Sequence, residues 1–163
     1  MKLYHITDPA IAEKLIVERI FIPGGKGEFN NDNGMNLFSF KAGYRKSQYF
    51  EHEGVKLIVK WERNCVIKTH QNTSPPLKGN VLHYQYPWRC FVRDNGENKN
   101  LRVLGVLPQD DEIFDSFLTN QKSKIVKYPF LRTLNIEEKR KFYLKSVYDF
   151  CKTNPVYIQV AKT

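Results

Sequence analysis

Residues 55–61 read VKLIVKW, and their alternation most constrains the fold. Val55, Leu57, Val59 and Trp61 fall on one side of an extended chain, while Lys56 and Lys60 fall on the other. Such a segment is a strand with one buried face and one partly wet face. Other short stretches also read as strands: Leu3, Tyr4 and Ile6 near the start, NLFSF from Asn36 to Phe40, VLHYQY with the same alternation, RCFVR, LRVLGVL, and the closing VYIQV with Val156, Ile158 and Val160 on one side. Few helical patterns separate consecutive strands in the middle of the chain. The expected class is therefore α+β, a single domain over 1–163 with mostly antiparallel, sharply twisted sheets. Between RCFVR and LRVLGVL lies RDNGENKN, whose Asn-Gly turn chemistry predicts a hairpin rather than a long crossover.

Helices are expected at four places. Asp8 caps a first helix with Pro9 in its first turn, an apolar stripe of Ile11, Ala12, Leu15 and Ile16, and an end near Glu18. Ile20, Phe21 and Ile22 then resume an extended course that Pro23 ends, and the glycine-rich PGGKGEFNNDNGM reads as a surface loop without phosphate-loop spacing. A second helix is read from about Gly43 to His52. A third lies in DDEIFDSFL, with apolar residues at 113, 114, 117 and 118. The last opens with the capping box of Asn135 and Glu138, gathers Ile136, Tyr143, Leu144, Val147 and Cys151 on one face, and stops at Asn154-Pro155.

Composition bounds the function. A 41 % apolar and 13 % aromatic chain has enough apolar surface to offset the entropy of folding. No apolar run reaches the ~20 residues of a membrane span, and no membrane partner is expected. Cys65, Cys90 and Cys151 are odd in number and widely spaced, which suggests neither disulfides nor zinc. A cytoplasmic location suits that usage, as does export after synthesis; the pattern distinguishes no monomer from a dimer. His5, His52, His70 and His83 form no metal-ligand pair, so no metal is expected, and no Gly-x-Ser-x-Gly nucleophile motif occurs. The net charge of +9 attracts polyanions such as nucleic acid or a phosphate-bearing cofactor, with Arg45 and Lys46 among the basic positions.

His5 interrupts the first apolar strand just before the strand-to-helix turn. A histidine there serves either as a hydrogen-bonded core residue or as a working group. LYHITDPAIAEKLI, followed by RIFIP and GMNLFSF, resembles the amino-terminal third of ADP-ribosyltransferase-like domains, particularly the bacterial toxins that modify DNA and the RNA 2'-phosphotransferases. The resemblance covers about 40 residues. It implies a split β-barrel-like core with peripheral helices and an NAD cleft between two small sheets. His5 would hydrogen-bond a ribose hydroxyl of NAD, the main chain of Ile6 or Thr7 would hold the nicotinamide amide, and the segment from Ser39 to Tyr44 would line the cleft. Tyr44 is the first candidate for stacking on nicotinamide and Phe40 the second.

Most members of that family carry a glutamate in a later strand, where it steadies the oxocarbenium ion. Here PWRCFVR stands in that place, with Trp88 or Arg89 at the expected position. Three alternatives follow. Glu53, Glu51 or Asp94 supplies the acid; or Arg89 and Arg93 grip a phosphate as in the 2'-phosphotransferases, a task suited to the guanidinium fork; or the domain binds a nucleotide without turning it over. A reading of another class is a non-catalytic RNA-binding module, in which the aromatic and basic residues of HYQYPWRCFVR form a stacking platform. The expected function is an NAD-dependent transfer of ADP-ribose to a nucleic acid or other polyanion.

Overall fold

The computed structural model describes residues 2–23, 34–39, 54–62, 66–68, 81–83, 89–92, 100–109, 111–120, 123–126 and 133–161. Strand β1 (Lys2–Thr7) leads into helix α1 (Pro9–Glu18) and the two-residue β2 (Ile20–Phe21). Then come β3 (Met35–Ser39), β4 (Val55–Trp61), β5 (Val66–Lys68), β6 (Val81–His83), β7 (Arg89–Val92) and β8 (Leu101–Pro108). Helices α2 (Asp111–Thr119) and α3 (Ile136–Thr153) precede the short β9 (Gln159–Val160). The class is α+β, as the alternating segments imply. The read helix from Gly43 to His52 lies outside the described residues.

Seven strands form one open sheet in the order β5-β6-β7-β3-β1-β4-β8, and β2 pairs with β9 in a second, two-stranded sheet. Among the described residues, β5 and β6 are the one parallel pair of the large sheet, and its other pairs are antiparallel. Among the described residues the sheet does not close into a barrel, because its edges β5 and β8 are not paired with each other. The expected hairpin between RCFVR and LRVLGVL does not form. Those segments are β7 and β8, which point the same way with β3, β1 and β4 between them. The Asn-Gly signal is local, whereas β8 is claimed by seven residue pairs with β4. A bulge between Ile58 and Val59 shifts that register, and Gly105 sits there with φ 152°.

The helices cover one face of the sheet. Leu3, Leu37, Val55, Leu57, Val59 and Trp61 meet Ala12, Leu15 and Ile16 of α1, Phe114 and Leu118 of α2, and Tyr143, Val147 and Cys151 of α3 in one core. Each fully buried Leu, Ile, Val or Phe among them contributes about 1.5–3 kcal/mol. On the opposite face Tyr4 and Ile58 are also buried, with Ile6, Phe38 and Leu104 packed on them and the Lys56 ammonium 5.6 Å from the Tyr4 ring centre. The centre of the sheet is thus buried on both sides, more than the alternation of VKLIVKW alone implies. Val156, Ile158 and Val160 all point into the core, as read. Asp8 and the Asn135–Glu138 capping box start their helices as expected.

The stripe of α1 is rotated from the expected one. Ile11 is half exposed, and Glu13 is buried beside Ala12 and Ile16. A buried carboxyl group needs donors. Glu13 receives three hydrogen bonds: from the Ser123 hydroxyl, from the Lys124 N–H at 2.6 Å and from the Tyr143 hydroxyl at 3.0 Å. The Tyr143 ring in turn stands edge-on to Phe114 and Phe117 at 5.3 and 5.6 Å. Glu13 therefore pins α1 to the 123–126 turn and to α3, while Arg140 clamps Asp115 through two bonds to join α3 to α2. Glu13→Ala, which strands buried donors, is expected to cost about 3 kcal/mol in urea unfolding, and Glu13→Gln, which keeps one acceptor oxygen, distinctly less. Equal losses in the two variants would show that the Glu13 acceptor is not what holds these elements together.

Candidate functional site

His5 lies on the helix-covered face of β1. Its register partner on β4 is Leu57, and Leu3 pairs with Val59 in the same facing set. On the other flank of β1 the ladder with β3 is short. Leu3 pairs with Ser39 and Tyr4 with Phe38, and the pairing stops there. Strand β3 nevertheless continues to pair with β7 along Met35–Phe38. The β1–β3 ladder therefore ends before His5, and among the described residues the β3-facing peptide edge of Ile6 and Thr7 is not used by a ladder.

The imidazole sits just past the end of this ladder. Its Nδ1 lies 2.8 Å from the Asn36 carbonyl oxygen. A carbonyl only accepts, so Nδ1 carries the proton and Nε2 is left as an acceptor. Among the described residues Nε2 has no hydrogen-bond partner. The ring of Phe21 stands at 81° to the imidazole with centroids 5.5 Å apart. Desolvation pulls the His5 pKa below its ordinary 6.5, and the hydrogen bond to Asn36 opposes that pull less strongly. His5 is thus both the satisfied histidine of one reading and a neutral ring with a spare lone pair, which the other reading needs.

Thr7 is crowded from the far side. Gly54 has φ 114°, a left-handed conformation, and a Cβ built there would lie 2.4 Å from the Thr7 carbonyl oxygen. Only glycine lets β4 begin this close to the end of β1. Asp8 follows at once, and its carboxylate accepts the N–H groups of Ala10 at 2.7 Å and Ile11 at 3.4 Å. That capping occupies donors that the start of α1 would otherwise present to a phosphate.

The remaining expected site residues are distributed as follows. Ser39 pairs with Leu3, two residues along β1 from His5. Arg89 pairs with Phe38, in the row of Tyr4 and one residue out of step with His5, with β3 between β7 and β1. Phe40, Tyr44, Arg45, Lys46, Glu51, Glu53, Arg93 and Asp94 lie outside the described residues, as do Trp88 and the tyrosines of HYQYPWRCFVR. The structure brings together His5, Ile6 and Thr7 and adds two partners the sequence reading did not assign. Asn36 acts through its backbone carbonyl, which leaves no side-chain signal; Phe21 reaches the imidazole only through the placement of β2. Of the cysteines, Cys151 is buried in α3 and its thiol is pushed up to about 11, which keeps it protonated and unreactive.

Among the described residues no group of three or more His, Cys, Asp or Glu side chains is placed to hold a metal ion, and no helix is long and apolar enough to cross a membrane. Compared with protein-family models, curated proteins and solved structures, the chain matches none.

The lowered pKa of His5 has a consequence for stability. Above pH 6.5 the ring is neutral in both folded and unfolded chains and contributes no pH dependence. Below 6.5 the unfolded chain takes up a proton that the folded chain does not, so stability falls with pH until the folded ring also titrates. Urea unfolding at pH 7.5 and at pH 5.5 is expected to show a larger acid loss for the wild type than for His5→Gln. Identical losses would contradict the desolvated ring.

Proposed function

We propose that the protein binds NAD where the β1–β3 ladder ends and transfers ADP-ribose from it to a nucleic acid or another polyanionic acceptor. The observation that carries this reading is the fixed tautomer of His5: with Nδ1 donated to Asn36, Nε2 accepts the O–H of a ribose hydroxyl. A hydroxyl held by a tethered acceptor cannot rotate as the glycosidic bond stretches, which lowers the entropy of reaching the transition state. The peptide edge of Ile6 and Thr7, left by the β3 ladder, offers main-chain groups for the nicotinamide amide. As the bond to nicotinamide breaks, positive charge grows on the ribose. A carboxylate close by, for which Glu53 is the first candidate, steadies it and orients the incoming nucleophile. Glu53 immediately precedes Gly54, whose close approach to Thr7 brings β4 to this end of β1.

The acceptor is argued from charge. A chain of +9 draws a polyanion to itself, and Arg45, Lys46, Arg89 and Arg93 are the candidates for holding its phosphates.

Nicotinamide release from NAD in the presence of single- or double-stranded DNA, or RNA carrying a 2'-phosphate, tests the reading. The wild type is expected to release nicotinamide with one of these acceptors, and His5→Ala to lower the rate by about 100-fold without changing the circular dichroism spectrum. Salt-dependent RNA binding that ignores His5→Ala, with no nicotinamide formed, would replace this reading by a non-catalytic binding module.

A further inference from the structure

A single hydrogen bond fixes one atom of an imidazole but leaves the ring free to swing about that point. In His5 the second restraint is the Phe21 ring, set at 81° with its centroid 5.5 Å away. Phe21 belongs to a strand of two residues, too short to persist alone. What holds it is the carboxyl-terminal segment. The Gln159 N–H donates to the Arg19 carbonyl at 2.8 Å and the Ala161 N–H donates to the Phe21 carbonyl at 2.9 Å, so Phe21 is bracketed on its main chain. Beneath it Ile158 and Val160 are fully buried, anchoring β9 in the core. Ile22, the next residue, is 74 % exposed, so Phe21 is the last part of this strand that faces inward. Arg19, with φ 63°, turns the chain from α1 into this position.

We propose that Phe21 is a positioning residue for the His5 imidazole, and that strand β9 holds it in place, so that residues 159–161 set how Nε2 is presented to a bound ribose. The ligand in this statement rests on the NAD reading above, whereas the positioning does not. An edge-on aromatic ring excludes water from the imidazole and blocks its rotation; a leucine at the same place does neither as well. The carboxyl-terminal strand is then part of the nucleotide site, although it is more than 150 residues from His5 in the sequence.

The test follows the Cε1–H resonance of His5, assigned with His5→Gln, through a pH titration of the wild type, Phe21→Leu, Phe21→Tyr and Ala161→Pro. The proline variant removes the N–H that holds the Phe21 carbonyl. Phe21→Leu and Ala161→Pro are expected to raise the midpoint by about half a pH unit or more, toward the ordinary histidine value, while Phe21→Tyr keeps it. In calorimetric titrations with NAD, the first two variants are expected to bind about tenfold more weakly and Phe21→Tyr as the wild type does. A midpoint unmoved in both Phe21→Leu and Ala161→Pro overturns the positioning role, whatever NAD does. A midpoint that moves in a protein that does not bind NAD upholds the positioning and removes only the ligand. Should Phe21→Leu fail to fold, Phe21→Tyr and Ala161→Pro still decide, since the inference requires them to differ.

Discussion

Six consecutive residue pairs tie β1 to β4, and that register fixes the direction of every side chain in β1. A slip of one residue would carry Leu3 and His5 to the Tyr4 side and bring Tyr4 and Ile6 under the helices. Burial on both faces prevents it. Leu3, Leu57 and Val59 are sealed by α1, α2 and α3, while Tyr4 and Ile58 are sealed on the reverse side. Because the register cannot drift, the imidazole is held at the point where the β1–β3 ladder ends, and its bond to the Asn36 carbonyl follows from that placement.

The same constraint gives the site its chemical character. A histidine inside a continuous ladder would be core filling, and a histidine in an exposed loop would titrate near its ordinary value. Here one nitrogen is bound to a backbone oxygen, the ring is desolvated, and the other nitrogen is an acceptor with no partner among the described residues. Neutral at pH 7 and oriented from two sides, such a ring suits the recognition of a hydroxyl better than the recognition of a phosphate. The phosphates of a dinucleotide would need donors elsewhere, because Asp8 already occupies N–H groups at the start of α1.

Much of the architecture was legible because its signals are local and repeated. The alternation in VKLIVKW, the Asp8 cap and the Asn135–Glu138 box each state a conformation within a few residues. Three features were not legible in this way. The order of the strands depends on which partners β8 and β7 find, and the Asn-Gly turn between them carries no information about that competition. Strand β5 has three residues, too few to show a period. Glu13 is charged and so reads as exposed, yet its place four residues after Pro9 and three before Ile16 puts it on the buried stripe. At the site, His5 stood out as a polar residue in an apolar strand. Asn36 and Phe21 did not, since one contributes a backbone oxygen and the other is placed by β9.

We propose that the His5 ring is a neutral Nδ1–H tautomer whose Nε2 accepts a ribose hydroxyl of NAD. Long-range proton–nitrogen NMR spectra of the ring at pH 7.5, without and with NAD, test it most directly. The expected result is a protonated Nδ1 and a bare Nε2 in the free protein, with the Nε2 resonance moving on addition of NAD and the Nδ1 resonance nearly still. A ring protonated on Nε2, or an Nε2 resonance indifferent to millimolar NAD, would contradict it.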